Sequence, residues 1–351
     1  MPTNPIKVGP RKIGPEQPCF IIAEAGVNHN GSLDMAMSLV DAAYECGADA
    51  VKFQTWITDK LIARETPMAA YQQQNLGSQE TQYDMLKRFE LSQSQFREIK
   101  HYTDQKGYLF FSTPDEADSA DFLDQLGVPL FKIGSGEVTN LALVQHIASK
   151  NKPVILSTGM SSLAEVESAV QVIEQTQNHK LVLLHCVSSY PAEPADCNLR
   201  AMDTLRLAFQ YPVGFSDHTL GIEVAVAAVA RGACVLEKHL TLDKTLPGPD
   251  HAASLDVGEF RQMVAAIRDT ELAMGSGRKE PTQRERETRL VVQRSVVALR
   301  EIASGSPIQA EDVILLRASG GIPASRLESV VGHLAKRVIQ ANTVISPEDI
   351  D

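Results

Sequence analysis

The sequence predicts an α/β protein: a (β/α)₈ barrel, the TIM-barrel fold, followed by a small C-terminal domain. Two observations support this prediction. Short β-branched or aromatic runs alternate with amphipathic helical stretches through most of the chain, and beyond residue 277 this pattern gives way to short runs and turns. An open doubly wound sheet is the alternative architecture that the same alternation allows.

Eight candidate strands form continuous apolar runs, which are typical of parallel strands covered on both faces. They are residues 19–23, 50–54, 109–112, 130–133, 154–157, 181–185, 213–216 and 235–239. Between them, Ser162 with Glu165 and Asp256 with Glu259 have capping-box spacing ahead of apolar helical periods. Eight strand–helix units fit the usual length of such a barrel, about 250 residues.

The remaining segments define the domain organisation. The barrel is predicted over residues 1–277, a charged linker over 278–290 and the C-terminal domain over 291–351. In that domain, residues 302–313 are echoed at 339–350, which indicates a pseudo-symmetric fold. The connection 57–106 is longer than one helix, and its stretch 71–75 predicts a loop or lid over the top of the barrel.

Composition excludes several classes of function. The 351 residues include 33 Lys and Arg against 44 Asp and Glu, a formal charge of −11, so a long basic nucleic-acid surface is not expected. No apolar run reaches the length of a membrane span, and the start lacks the apolar core of a secretory signal. The five cysteines are widely spaced without a CxxC, so we expect a cytoplasmic protein without a disulfide framework.

Polar residues at the strand ends point to chemistry, because the active sites of such barrels lie at the carboxyl ends of the strands. Two lysines, Lys52 and Lys132, follow different strands and would meet Ser and Thr hydroxyls at one mouth. A phosphate or a carboxylate needs fixed cations and several donors, so we predict an anion site there. The alternative is that the lysines neutralise neighbouring carboxylates such as Glu24 and Glu137.

Two histidines end the seventh and eighth candidate strands. His218 and His239 would lie on neighbouring strands and could share one metal ion, leaving coordination positions for water or a substrate carbonyl. The alternative is a pair of hydrogen-bonded core histidines. Because side chains alternate along a strand, Ser216 with His218 and Glu237 with His239 should face the same side.

Nine motifs in order resemble the sialic acid synthase family, the bacterial N-acetylneuraminate and related nonulosonic acid synthases, over essentially the whole chain. They lie at residues 23–31, 51–54, 112–114, 131–137, 157–160, 184–186 with 190–191, 214–219, 237–239 and 248–252. The C-terminal domain resembles the family's antifreeze-like SAF domain, a β-clip fold, with Arg294, Ser295 and Arg317 at familiar places.

The resemblance implies a metal-dependent, C–C bond-forming transferase that condenses phosphoenolpyruvate with N-acetylmannosamine or a close relative and releases phosphate. It also implies roles for individual residues. Phosphoenolpyruvate would be held by Lys52, Thr113, Lys132, Ser135, Ser157 and Ser216. The sugar would contact Gln54, Asn75, Tyr190 and Asp250, and His218 and His239 would bind Mn²⁺ or Mg²⁺. Catalytic roles would fall to Glu24, Glu137, Glu237 and Arg317, the last acting across a domain-swapped homodimer.

Two departures from the family pattern bear on the acceptor. In the C-terminal domain, residues 317–322 read Arg-Ala-Ser-Gly-Gly-Ile where relatives show Arg-Pro-Gly. N-acetylneuraminate synthases tend to have Asn two residues before the Tyr-Pro pair, where this chain has Ser188, a further substrate-binding candidate. The change could suit the 2,4-diacetamido-2,4,6-trideoxymannose that gives N,N'-diacetyllegionaminic acid. Two other classes stay open: a Schiff-base pyruvate aldolase using Lys132 or Lys52, and a carbohydrate- or ice-binding protein led by the C-terminal domain.

Overall fold

Parallel strands organise the first part of the chain. In the computed structural model, which describes residues 5–77 and 80–351, the chain divides into two units, Met1–Gly275 and Ser276–Asp351. The first unit holds a small antiparallel hairpin, β1 and β2, and eight parallel strands, β3 to β10. The strands are β1 Ile6–Val8, β2 Arg11–Ile13, β3 Phe20–Gly26, β4 Ala50–Thr55, β5 Leu109–Pro114, β6 Phe131–Ile133, β7 Val154–Ser157, β8 Leu181–Cys186, β9 Val213–Asp217 and β10 Val235–His239.

The eight strands form a nearly closed barrel. Hydrogen bonding connects them in the order β5-β4-β3-β10-β9-β8-β7-β6, and β5 packs beside β6 to complete the ring. Strand pairing of the first strand with the last, β3 with β10, is what distinguishes a barrel from an open doubly wound sheet. The (β/α)₈ prediction is therefore confirmed.

Helices surround the strands and bury the outer face of the barrel. They are α1 Leu33–Glu45, α2 Thr58–Leu61, α3 Ala70–Leu76, α4 Gln82–Phe89, α5 Gln93–Gln105, α6 Ala117–Leu126, α7 Leu141–Ala148, α8 Leu163–Gln175, α9 Ala201–Phe209, α10 Glu223–Ala230 and α11 Val257–Met274. Both predicted capping boxes are present: Ser162 with Glu165 begins α8, and Asp256 with Glu259 begins α11. Each satisfies backbone N–H groups that the first turn leaves free.

The long insertion after β4 is more ordered than the sequence indicates. Residues 71–75, predicted as a loop or lid, lie in α3, so the loop prediction is wrong there. The Gln72 side chain accepts a hydrogen bond from Ala69 N at 2.9 Å, and Gly77 ends the helix in a left-handed conformation. Met68, Met85 and Phe89 of the insertion pack with Val27 and Trp56 in a separate apolar cluster.

The second unit contains α12 Gln283–Val292 and an antiparallel pair, β11 Arg294–Ala298 with β12 Val313–Arg317. The predicted linker thus includes most of a helix. The sequence echo has a structural counterpart: Arg300 pairs with Asp312, and 37 residues later Arg337 pairs with Asp349 at 2.6 Å. Both carboxylates also accept a backbone N–H three residues upstream, so each caps one turn of the pseudo-repeat.

No helix within the described ranges combines the length and the apolar content that a membrane span needs.

Candidate active site

The carboxyl ends of the barrel strands bring the predicted polar residues together. Strand register pairs Glu24 with Lys52 and with His239, Gln54 with Thr113, and Glu237 with Ser216. Apart from the half-buried Gln54, these side chains are buried at the mouth of the barrel, where parallel strands present their ends to one another.

Lys52 forms the first ion pair of the mouth. Its Nζ lies 2.9 Å from Glu24 Oε2 and donates to Thr113 Oγ1 at 2.8 Å, while Gln54 Nε2 donates to Glu24 Oε1 at 2.9 Å. Burial raises the pKa of Glu24, and the nearby Lys52 opposes this only in part. Burial alone would lower the pKa of Lys52, but the charges of Glu237 and Glu24 raise it. Lys52 is therefore a persistent cation.

Lys132 forms a second, looser pair. Its Nζ lies 3.6 Å from Glu237 Oε1, which also accepts a hydrogen bond from Ser216 Oγ at 3.1 Å. Burial lowers the pKa of Lys132. Burial would raise the pKa of Glu237, but Lys132 and Lys52 together lower it, so Glu237 is a carboxylate. Two cations and two carboxylates thus share one buried volume.

Hydroxyl and thiol groups line the wall of the mouth next to Lys132. Ser135 Oγ accepts the backbone N–H of Gly159 at 3.0 Å and lies 3.1 Å from Cys186 Sγ. A methyl group on Gly159 would lie 2.9 Å from Ser135 Oγ and 2.7 Å from Cys186 Sγ, and would collide with Ser188 Oγ. The absence of a side chain at Gly159 thus leaves room for the Oγ atoms of Ser135 and Ser188 and for Cys186 Sγ. Because Ser188 shares this space with Ser135, it lies on the same side of the mouth as Lys132. Ser157 is buried there as well.

The two predicted metal ligands face each other. The rings of His218 and His239 have centroids 5.6 Å apart. His218 Nδ1 donates to the Val187 carbonyl at 2.8 Å, so in the neutral ring Nε2 is the acceptor nitrogen. Burial lowers the pKa of His218, and burial together with His218 lowers that of His239 well below its usual value. Both imidazoles are therefore neutral, the form that binds metal ions.

Aromatic rings and one carboxyl group surround the histidines. The Tyr190 ring lies 4.2 Å from that of His218, and Tyr71 of α3 stacks on Tyr190 at 5.1 Å. Asp250 Oδ2 is 3.8 Å from His239 Nδ1, and burial raises the pKa of Asp250 to about 7. Asn75 Nδ2 donates to the Pro249 carbonyl at 2.6 Å, which ties α3 to the loop that carries Asp250.

The mouth therefore has two distinct halves. The anion half, as we call it, contains the lysines, the carboxylates and the hydroxyl groups: Glu24, Lys52, Thr113, Lys132, Ser135, Ser157, Ser188, Ser216 and Glu237. The acceptor half contains the neutral rings, the amides and one carboxyl group: Gln54, Tyr71, Asn75, Tyr190, His218, His239 and Asp250.

Two predicted residues lie outside this grouping. Glu137 is only half-buried, on a short 3₁₀ turn after β6, and its carboxylate accepts from Asn140 Nδ2 at 2.7 Å. Arg317 belongs to the second unit, at the end of β12. Its proposed role in the mouth stays a prediction.

Four residues of the mouth were not predicted from the sequence: Tyr71, Asp115, Gly159 and Cys186. Asp115 follows β5, and burial together with the charge of Glu137 raises its pKa to about 7. Its position two residues after the inward-facing Thr113 is the signal that could have found it, because side chains two apart on an extended chain share a face. The other three depend on contacts between distant segments.

The two imidazoles can serve as metal ligands, but they supply only part of a coordination shell. His239 Nδ1 is buried and has no hydrogen-bond partner in the described part of the chain. Residues 5–77 and 80–351 contain no group of three or more His, Cys, Asp and Glu side chains arranged to hold a metal. A metal bound here would have two imidazole ligands, with water or substrate completing its coordination.

Comparisons with known proteins agree with this geometry. The sequence profile of the NeuB family matches residues 39–279, and that of the SAF domain matches residues 293–351. The chain is a barrel enzyme by fold and site. It belongs to the NeuB family and ends in a SAF domain.

Three relatives illustrate the similarity. The N,N'-diacetyllegionaminic acid synthase of Legionella pneumophila is 48% identical, with 96% of each chain covered. The human N-acetylneuraminate-9-phosphate synthase is 35% identical, with 97% of this chain and 95% of the relative covered. The crystal structure of the N-acetylneuraminic acid synthetase of Leptospira borgpetersenii in complex with citrate has a TM-score of 0.73 and 35% identity, covering 82% of this chain and 95% of that one.

Proposed function

We propose that this enzyme is a nonulosonic acid synthase, which condenses phosphoenolpyruvate with an open-chain amino sugar and releases phosphate. One observation above all supports this function: a buried pair of lysines with hydroxyl donors lies beside a buried pair of neutral imidazoles in the same mouth. The first pair suits a phosphorylated carboxylic acid and the second suits a carbonyl acceptor. The names of the relatives agree with such a reaction.

Phosphoenolpyruvate would bind in the anion half. Lys52 and Lys132 would offset its negative charge, and Thr113, Ser135, Ser157, Ser188 and Ser216 would donate hydrogen bonds to its oxygen atoms. The carboxylates Glu24 and Glu237 keep the lysines in place before the substrate arrives. Preorganised donors of this kind need no rearrangement during the reaction.

A divalent cation, Mn²⁺ or Mg²⁺, would be held by His218 and His239. When bound, it would supply Lewis acidity to the carbonyl oxygen of the sugar. His218 is oriented by its hydrogen bond to Val187 O, and the Tyr190 ring packs against it. Gln54, Tyr190 and Asp250 would contact the sugar around this point.

Proton transfer is the part of the reaction that the carboxyl groups can perform. The methylene carbon of phosphoenolpyruvate attacks the aldehyde carbon, whose oxygen gains a proton. Water then adds to the former enol carbon and gives up one proton. The bond from that carbon to the phosphate oxygen breaks as the carbonyl group forms, and the remaining hydroxyl proton leaves with the phosphate. Glu24 is the candidate to donate the first proton and to recover one from water, because burial raises its pKa and so favours its protonated form. Glu237 stays ionised and holds Lys132 and Ser216.

We favour 2,4-diacetamido-2,4,6-trideoxymannose as the acceptor. The L. pneumophila relative, 48% identical, is named for N,N'-diacetyllegionaminic acid. The acceptor half consists of aromatic rings, amides, neutral imidazoles and one carboxyl group, so none of its members offers a cation to a sugar 6-phosphate. N-acetylmannosamine is the second candidate, because it presents the same carbonyl group and the same first acetamido group.

Phosphate release with a panel of sugars tests this function. Purified enzyme with Mn²⁺ and phosphoenolpyruvate is offered the diacetamido sugar, N-acetylmannosamine or N-acetylmannosamine 6-phosphate. We expect phosphate release only with a sugar present, and fastest with the diacetamido sugar. Equal release without any sugar would contradict the proposal.

A Schiff-base pyruvate aldolase is the second candidate reaction, and one observation favours it. Burial lowers the pKa of Lys132, as nucleophilic lysines require. Borohydride added with pyruvate would trap an imine on Lys132 and leave a covalent mass increase. We expect no such adduct, because Glu237 helps keep Lys132 charged.

Arg317 is proposed to act across a domain-swapped homodimer, from the SAF domain of one subunit into the barrel of the other. Arg317→Ala should lower activity even though the residue lies outside the barrel unit. Mixing this variant with Glu24→Ala after mild dissociation should restore part of the activity. An absence of rescue at every mixing ratio would indicate that the arginine acts within its own chain.

A further inference from the structure

The Ser135 hydroxyl group in the anion half has two close polar neighbours. The backbone N–H of Gly159 donates to Ser135 Oγ at 3.0 Å, and Cys186 Sγ lies 3.1 Å from the same oxygen. Cys186 ends β8 and is 5% exposed, and strand register pairs it with Ser216 on β9. The thiol is therefore part of the wall of the mouth.

Counting protons leaves two arrangements for this contact. A serine hydroxyl group has one proton to donate and two lone pairs to accept with, and the Gly159 N–H occupies one of these lone pairs. In the first arrangement the Ser135 O–H donates to sulfur, so its only proton is used within the protein. In the second the Cys186 S–H donates to Ser135 Oγ, so the hydroxyl proton is free for a ligand.

We infer that Cys186 is a positioning residue, whose S–H donates to Ser135 Oγ and so directs the Ser135 proton to the anionic substrate. The inference rests on the proposed function, because it takes an oxygen of phosphoenolpyruvate as the acceptor. A hydrogen bond to an anion is about twice as strong as one between neutral groups, so anion binding favours the second arrangement. The S–H, the O–H and the anion then form a chain whose members polarise one another.

A polar atom at the end of β7 and the lysine of β6 also suit an anion in this half of the mouth. Ser157 Oγ and Glu237 Oε2 are buried without a hydrogen-bond partner in the described ranges. Of these, the serine hydroxyl can donate to a ligand, and Lys132 Nζ lies 3.6 Å from Glu237. The space above Gly159 would be lost to any larger residue, because its first side-chain carbon would press on Cys186 Sγ and Ser135 Oγ.

Steady-state kinetics of two matched variants test the inference. Cys186→Ala removes the donor, whereas Cys186→Ser keeps a donor at the same place. We expect Cys186→Ala to raise the KM for phosphoenolpyruvate about three- to ten-fold, the effect of one lost hydrogen bond. The KM for the sugar and kcat should change less than about two-fold, and Cys186→Ser should restore most of the phosphoenolpyruvate affinity. Equal KM values for Cys186→Ala and the wild type would overturn the inference.

Vibrational spectroscopy reports the donor directly in the wild-type protein, so it does not depend on the alanine variant folding. Subtracting the Raman spectrum of Cys186→Ser from that of the wild type isolates the S–H stretching band of Cys186. Adding phosphoenolpyruvate should move this band to lower frequency, as expected for a stronger S–H donor. An unchanged band would contradict the inference.

Calorimetric titration of phosphoenolpyruvate into the wild type distinguishes a failure of the proposed role of Cys186 from a failure of the proposed function. Binding together with an unresponsive S–H band would overturn the role of Cys186 alone. An absence of binding would overturn the proposed function and the role of Cys186 with it.

Discussion

Strand β10 takes part in two buried lysine–carboxylate pairs, one on each face: Glu237 faces Lys132 of β6 inside the barrel, and Lys238 faces Asp217 of β9 outside it. The two pairs differ in how completely they are hydrogen-bonded. On the outer face, Lys238 Nζ lies 2.6 Å from Asp217 Oδ2 and donates to Thr219 O at 2.6 Å. Asp217 Oδ1 accepts from Thr219 N at 2.9 Å and from its Oγ1 at 2.8 Å. Lys238 and both carboxylate oxygens of Asp217 thus have hydrogen-bond partners within the protein.

The inner pair is left open. Lys132 Nζ lies 3.6 Å from Glu237 Oε1, a full 1.0 Å longer than the outer pair, and Glu237 Oε2 has no hydrogen-bond partner among the residues that the structure describes. Buried polar groups without partners cost free energy, so the open carboxylate oxygen needs a donor such as water or a sugar hydroxyl group. The loosely held Lys132 can direct its N–H groups to an anion. The contrast indicates that the outer pair serves the fold and the inner pair serves the substrate.

The largest effect should come from opening the outer pair. Asp217→Asn leaves the buried Lys238 without its counter-charge, so the free energy of unfolding should fall by about 3–5 kcal/mol. Activity per folded molecule should stay within about three-fold of the wild type, because Asp217 faces away from the mouth. Urea unfolding and phosphate release measure the two quantities. A stable but inactive variant would contradict the assignment of the outer pair to stability and the inner pair to function.

Removing the inner pair should lower activity and leave the free energy of unfolding nearly unchanged. The double variant Lys132→Met/Glu237→Gln takes away both charges at once, so no buried charge is left alone and stability should be kept or slightly raised. Phosphate release should fall about 100- to 1000-fold, the effect of losing a preorganised charged contact. Thermal unfolding serves as the control. Normal activity would refute the assignment of this pair to phosphoenolpyruvate.

The histidine pair should govern metal binding without governing the fold. His218→Ala should weaken Mn²⁺ binding about 100-fold or more and lower phosphate release to a similar degree. Titration of Mn²⁺ by electron paramagnetic resonance measures binding separately from activity. His146→Ala is a matched control, because His146 pairs with Asp121 away from the strand ends. Unchanged Mn²⁺ affinity in His218→Ala would contradict the proposed metal site.

A smaller effect should appear in the pH dependence of stability. The pKa of Asp115 is about 7 in the folded protein, above its usual value, so the folded state binds more protons than the unfolded state between these two values. The contribution of Asp115 to stability should therefore fall by about 1–2 kcal/mol as the pH rises from about 4 to 7, since screening at this half-buried position reduces the full value.

The variant Asp115→Asn isolates this contribution. It should show a flatter stability profile over the same pH range, measured by urea unfolding. Glu98→Gln, at an exposed carboxyl group of α5, is the control. Identical profiles for Asp115→Asn and the wild type would show that Asp115 titrates normally.

The barrel and half of the mouth follow from local sequence patterns. Continuous apolar runs predict parallel strands, and the two-residue period predicts that Glu237 and His239 share a face while Lys238 does not. Register between neighbouring strands then brings Lys52 to Glu24 and Ser216 to Glu237. These contacts depend only on strands being adjacent.

The rest of the mouth depends on contacts between segments that are distant in sequence, and no local sequence pattern predicts such contacts. Tyr71 reaches Tyr190 because the 57–106 insertion folds into helices, and its stretch 71–75 has no strong helical period. Ser188 lies on the lysine side because Gly159, on another loop, leaves room for it. Sequence reasoning linked Ser188 to the sugar, and its position near Ser135 favours a contact with phosphoenolpyruvate instead.

The central claim is that one mouth holds an anion half and an acceptor half that work independently in binding. Calorimetric titration of phosphoenolpyruvate into three proteins tests it most directly: the wild type, His218→Ala and Lys132→Met/Glu237→Gln. The wild type and His218→Ala should bind phosphoenolpyruvate with similar affinity, and the double variant should not bind it measurably. Equal binding by all three proteins, or loss of binding in His218→Ala alone, would contradict the division of the mouth.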